Sequence, residues 1–235
     1  MRGLYEVRMR GCAVSTPLPI IGVVGGTGAL GSALATRWAK AGYPVVLGSR
    51  AADKAHGHAR DIASREQINV SGASNVRAAE QAAIVVVTVP WAAHESTFEE
   101  IRTVVQGKIV VDSTVPLVPP KVMRVQLPAG GSAAVRAQAL LGTGVHVVGA
   151  FHSVAAHKLA TAEPVDCDVL VFGDQKEARE AVVALAVAAG LRGLHGGPLA
   201  NSAATEALTS VLIFINKTYA VDGAGIRITG NLRGA

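Results

Sequence analysis

Cysteine, aromatic side chains and charge are all scarce in this chain of 235 residues. Its two cysteines, Cys12 and Cys167, stand far apart with no CxxC spacing. A disulfide framework or a cysteine zinc site is therefore not expected, and a reducing cytoplasm suits such a chain. Aromatics are 4% of the residues, and Lys and Arg are scattered rather than grouped. The stacking platforms and basic stripes of nucleic-acid binders are thus missing. Apolar runs such as 181–191 fall short of the roughly 18–20 residues that span a bilayer, so no membrane partner is expected. Arg2, Arg8 and Arg10 are followed by no apolar stretch, and no secretory signal is read. Met9 offers a second candidate start, and residues 1–18 read as a flexible N-terminal extension. His56 and His58 fall in a polar helix expected to be exposed, and His152 and His157 are five apart without partner carboxylates at ligand spacing, so no metal is expected. No GxSxG or Ser-His-Asp signature appears either.

What is present is apolar and periodic. Half of the residues are hydrophobic, and a net charge of +5 favours an anionic small-molecule ligand. A buried-strand run at 20–24 is followed by a glycine cluster. Leu30, Ala33, Leu34, Arg37 and Trp38 then recur at helical spacing as far as Gly42. Strands at 44–47, 68–71, 84–89 and 109–112 alternate with helices at 51–63, 78–82 and 93–105. The all-apolar strand at 84–89 is of the kind buried on both faces of a parallel sheet. Residues 113–144 are less regular and end in an Ala-rich helix to Leu141. Strands at 145–149, 169–172 and 191–194 surround a helix opened by an Asp174/Glu177 capping box. A long amphipathic helix, 201–219, closes the chain. The pattern implies right-handed βαβ units. The expected fold is α/β: a Rossmann-like, doubly wound, mainly parallel sheet over 19–195. A small C-terminal helical segment, 196–235, is expected to complete a ligand pocket and to serve as an oligomer interface.

Gly26-Thr27-Gly28-Ala29-Leu30-Gly31 is a GxGxxG turn between a strand and a helix. In such a turn the first glycine allows the tight bend and the second admits a pyrophosphate. The third lets helix and strand pack closely, with the helix N-terminus facing the anion. A P-loop is excluded because Ser32 stands where that motif needs lysine. The end of the second strand, Leu47-Gly48-Ser49-Arg50, then selects the nucleotide. NAD-binding units place a carboxylate about 20 residues after the first glycine, whereas here none precedes Asp53. Ser49 and Arg50 supply a hydroxyl and a guanidinium for a 2′-phosphate, and Lys54 stands one turn on. NADP is the expected dinucleotide.

Taken in order, Gly25 to Gly31, Gly48-Ser49-Arg50 and Val87-Thr88-Val89-Pro90-Trp91 resemble the NADPH-dependent F-420 reductases, also called F-420:NADP oxidoreductases. Further matches are Phe151-His152-Ser153-Val154-Ala155-Ala156 and Gly197-Pro198-Leu199-Ala200-Asn201-Ser202. The resemblance covers about residues 19–228. It implies hydride transfer between NADP(H) and the deazaflavin coenzyme F-420 by a homo-oligomer, expected to be a homodimer. It also implies that Thr27 and neighbouring amides hold the pyrophosphate, with Ser49, Arg50 and Lys54 on the 2′-phosphate. Val89, Pro90, Trp91 and His94 would border the nicotinamide ribose, and the Ala156 backbone the carboxamide. His152 and Thr209 are the implied catalytic candidates on the deazaflavin side. The chain departs from the family in having Ala203 where members carry arginine and Ala207 where they carry serine.

Direct transfer between two stacked rings needs no acid or base on carbon, only orientation. Two other readings remain open at this stage. One is an NADPH-dependent reductase of a flavin, metal chelate, or keto or imine compound, for which Lys217 is the only candidate proton donor in the long helix. The other is a non-catalytic NADP-binding protein.

Overall fold

A computed structural model of the chain describes residues 17–232. Met9 and nearly all of the expected N-terminal extension lie outside these residues. Strand β1 (Ile21–Val24) enters the glycine turn and helix α1 (Ala29–Lys40), and β2 (Val45–Ser49) lies beside β1. Helix α2 (Ala52–Glu66) leads to β3 (Val70–Ser74), then α3 (Asn75–Gln81) to β4 (Ile84–Val87) on the other side of β1. Helix α4 (His94–Ile101) and β5 (Ile109–Asp112) follow. After them come α5 (Ala133–Leu141), β6 (His146–Gly149) and the single-turn α6 (Ala156–Leu159). Strand β7 (Asp168–Phe172), α7 (Lys176–Ala188), β8 (Arg192–Gly197) and the long α8 (Ser202–Tyr219) complete the order.

The strands form one sheet in the order β3-β2-β1-β4-β5-β6-β7-β8. All adjacent pairs are parallel except β6 and β7. The order reverses between β1 and β4, and open α/β sheets bind their ligands outside the carboxyl ends of strands at such a switch point. Side-chain alternation splits the core between the two faces. Ile21, Val23, Ile84 and Val86 join one buried cluster with Trp38 and Leu185, whereas Val24, Val85 and Val87 join another with Phe98 and Leu141. Helices therefore cover both sides. Trp38 is fully buried, donates its indole N–H to Leu185 O at 2.8 Å, and meets Phe151 edge-on at 5.9 Å. This contact fixes α1 and α7 under the loop that follows β6.

Several boundaries differ from the sequence expectation. The third strand starts at Val70, and α3 starts at Asn75 because the Ser74 hydroxyl accepts from Arg77 N as its cap. The expected helix 93–105 opens as a 3₁₀ turn, Trp91–Ala93, and α4 ends at Ile101. Beyond it the backbone tightens into three-residue hydrogen bonds, Arg102 to Glu99 and Val104 to Ile101. The Asp174/Glu177 capping box does not form. Gln175 is the N-cap of α7 without a side-chain bond, and Asp174 Oδ1 accepts from Leu199 N at 3.0 Å. Asp174 thus fastens the entry to α8. Strand β8 runs to Gly197, two residues past the expected domain edge.

Candidate functional site

The glycine turn is built from the close approach of three elements. Gly25, which precedes the GxGxxG run, takes the left-handed conformation at φ +74°, and its N–H donates to Asn75 Oδ1 at 3.2 Å. The tight bend is therefore made at Gly25, not at Gly26 as the motif suggests. Gly26 instead packs against the neighbouring strand: a Cβ there would lie 2.7 Å from Leu47 Cδ2. At Gly31 a Cβ would fall 2.5 Å from Thr88 Oγ1, so this glycine lets α1 lie directly on the end of β4. Gly28 differs. A Cβ on it would meet only Gly25 O, at 3.3 Å, and the space before it is open. The residue also provides no side-chain cap for α1. The N–H groups of the first helical turn at Ala29 and Leu30, which have no intrahelical acceptor, open onto this space beside Thr27. A phosphate group fits that cradle.

At the end of the adjacent β2, Ser49 is buried and its hydroxyl accepts from Ala51 N. Arg50 and Lys54 are exposed, and neither is in an ion pair among the described residues. No carboxylate occupies the strand end itself. The donor set fits a phosphorylated ribose rather than a free 2′-hydroxyl.

At the end of β4, Val89 is half-buried and Pro90 exposed, and Trp91 begins the 3₁₀ turn. The Trp91 ring rests on His94, with centroids 4.9 Å apart, and His94 in turn rests on Phe98 at 4.6 Å. His94 is 1% exposed, and its Nε2 bonds to Asp112 Oδ2 at 2.8 Å. Its imidazole is therefore a pillar beneath Trp91 and not a surface that a nucleotide can touch. The buried Asp112 carboxylate, which also accepts from Thr114 N, draws it inward.

The loop after β6 begins with Phe151 at φ +65°, a strained conformation for a bulky residue. His152 follows, 7% exposed, with Nδ1 3.0 Å from Thr205 Oγ1 and Nε2 without a hydrogen-bond partner. Burial lowers its pKa to about 4, against a smaller opposing effect of Asp112, so the ring is neutral at neutral pH. Thr209 Oγ1 donates to His152 O at 2.9 Å and also lies 3.0 Å from Thr205 O. Its proton is committed to holding α8 against this loop. Ala156, at the start of α6, lies at the edge of a groove of about 970 Å³ that follows the flank of α1. That groove meets the glycine turn at Thr27 and Gly28 but otherwise runs past Ser32, Thr36 and His58, away from the strand ends.

Sequence reasoning missed Glu206 and Arg136. Glu206, 1% exposed on α8, accepts from Ala133 N at 2.6 Å and from Ala134 N at 3.2 Å, closing the N-terminus of α5. Burial raises its pKa to about 7, opposed by those two amides. Ser202 Oγ donates to Ser132 Oγ beside it at 2.8 Å. Ser202, Thr205, Glu206 and Thr209 recur at helical spacing, and that polar stripe in an apolar helix was the available signal. Arg136, on α5, places its guanidinium 5.8 Å from the Trp91 ring centroid and pairs with Glu95. No group of three or more His, Cys, Asp or Glu that could hold a metal occurs among the described residues. None of their helices is long and apolar enough to cross a membrane.

Residues 20–116 match the family model described as "NADP oxidoreductase coenzyme F420-dependent". The F420-dependent NADP reductase of Methanothermobacter thermautotrophicus is 41% identical over 218 residues, which is 89% of this chain and 94% of that protein. The protein of the same name from Methanocaldococcus jannaschii is 36% identical over 219 residues, or 89% and 97% of the two chains. A crystal structure of a protein from Arthrobacter sp. FB24 superposes with a TM-score of 0.75 at 21% identity. It covers 90% of this chain and 99% of that one, and it supports the fold. By its sequence relatives, the chain belongs to the F420-dependent NADP reductase family.

Proposed function

We propose that the protein moves a hydride between NADP(H) and the deazaflavin coenzyme F-420. One observation carries the NADP half of this reading, and the sequence relatives support the deazaflavin half. At the switch point between β1 and β4, an uncapped helix N-terminus opens beside a glycine turn, and the neighbouring strand end bears Ser49 and Arg50 without a carboxylate. When bound, the two coenzymes supply the redox chemistry, with the hydride passing between nicotinamide C4 and deazaflavin C5.

The chain supplies orientation. The amides of Thr27, Ala29 and Leu30 take the pyrophosphate beside Gly28, whose own N–H donates to Gly25 O, while Gly26 and Gly31 keep strand and helix close enough to present them. Ser49, Arg50 and Lys54 take the 2′-phosphate. Val89, Pro90 and Trp91 flank the nicotinamide ribose, with His94 holding Trp91 from below. The Ala156 backbone reaches the carboxamide. His152 and Thr209 border the acceptor side, where a neutral imidazole and a committed hydroxyl fix the wall and exchange no proton with carbon. Lys217 is exposed near the C-terminal end of α8. The reading includes a homodimer in a reducing cytoplasm, with Val211 and Phe214 of α8 exposed for a second copy and Cys167 a buried free thiol.

The test is spectrophotometric. NADPH added to the protein with oxidised F-420 should bleach the visible band of the deazaflavin, and NADH should do so poorly. NADPH binding without any bleaching would contradict the reading.

A further inference from the structure

Arg136 is not used by the nucleotide site, yet it stands at that site's outer edge. It lies one turn into α5, and the first turn of that helix is immobilised by Glu206 on the amides of Ala133 and Ala134 and by Ser132 on Val135 N. The side chain extends from this fixed base over Trp91, with Cζ 5.8 Å from the ring centroid. Trp91 is itself held by His94, and His94 by Asp112. A rigid stack therefore carries a cation to the carboxyl end of β4. Its partner, Glu95, is about half exposed, and Arg136 is more than one-third exposed. An ion pair at such exposure contributes little to stability. Glu95 thus holds the guanidinium in place at small cost to any anion that would displace it.

We infer that Arg136 is an acceptor-binding residue, which takes the anionic tail of the deazaflavin and so lets the enzyme tell the full coenzyme from the bare ring system. The inference rests on the acceptor reading above. F-420 carries a phosphodiester and carboxylates on the chain that leaves its ring, and a planar guanidinium binds either group through paired N–H donors. With the nicotinamide ribose placed against Trp91, as proposed above, the Arg136 guanidinium beside that ring flanks the site. Arg136 is the cation stacked on that tryptophan. Its contribution is to binding of the tail, and the transfer step itself is left as it was.

The experiment measures affinity by calorimetry on protein loaded with NADP⁺. Two probes are used: oxidised F-420, and the same deazaflavin bearing only its ribityl chain. Arg136→Gln should weaken F-420 about tenfold, the loss of one partly exposed charge-assisted bond. It should leave the short analogue unchanged. Glu95→Gln, which releases Arg136, should leave F-420 bound at least as tightly and again spare the analogue. Equal losses for both probes, or no loss for either, would overturn the inference, as would a weaker F-420 affinity in Glu95→Gln. Native protein that binds NADP⁺ but neither deazaflavin would overturn the acceptor reading and this inference with it. Native binding that Arg136→Gln leaves intact would overturn the inference alone.

Discussion

Arg50 is exposed at the end of β2 and has no ion-pair partner among the described residues, so it is available to a phosphoryl group. A charge-assisted bond of that kind contributes about 1.5–3 kcal/mol. Arg50→Ala should weaken NADPH by that amount and leave NADH nearly unaffected, as fluorescence titration would measure. Equal losses for the two nucleotides would contradict the 2′-phosphate assignment. Two buried groups nearer α8 set a second expectation. His152 has a folded pKa of about 4 against an ordinary 6.5, because burial disfavours its charged form. Its contribution to stability is present above pH 6.5 and is lost as the pH falls towards 4. Glu206 has a folded pKa of about 7 against 4.5, again from burial. Its contribution is full below pH 4.5 and is lost as the pH rises towards 7. Each effect is on the order of 3 kcal/mol, and the two oppose each other over the same range. Urea unfolding should therefore show little net pH dependence in the native protein. Stability should fall with rising pH in His152→Gln and rise with pH in Glu206→Gln. Flat profiles in both variants would contradict the account. Arg50 and the glycine turn were legible because their meaning lies in spacing along a few residues. Glu206 was not, because its partners are 72 and 73 positions away. His94 was misread for a related reason: its position beside Trp91 is local, but its inward direction is set by Asp112 on another strand.

At the scale of elements, the approach of α1 to β4 decides whether the helix N-terminus faces the ligand space. Gly31→Ala would place a methyl 2.5 Å from Thr88 Oγ1 and 2.9 Å from Gly26 Cα. The backbone contact cannot rotate away, so α1 must shift. The expected result is at least a tenfold loss of NADPH affinity, with secondary structure by circular dichroism retained. Unchanged affinity would contradict the role given to the close packing. Most elements were legible, since buried parallel strands and amphipathic helices announce themselves by composition and period. Their ends were not. α4 stops early through a change in hydrogen-bond pattern, and α7 loses its expected cap because Asp174 is taken by Leu199 N. The reversal of β7 against β6 was also invisible, because apolar alternation reads the same in either direction.

Taken whole, the molecule gathers the glycine turn, the exposed Arg50 and the Trp91 ring at the carboxyl ends of β1, β2 and β4, where the proposed function places NADP(H). This arrangement needs only to hold two rings together, and the central claim is that hydride passes directly between them. The most direct measurement uses NADPH deuterated at both positions of nicotinamide C4, with oxidised F-420, in ordinary water. Mass spectrometry of the reduced deazaflavin should find one deuterium retained at C5 per turnover. Reduction with the label lost to solvent, or no reduction by protein that demonstrably binds both coenzymes, would contradict the account.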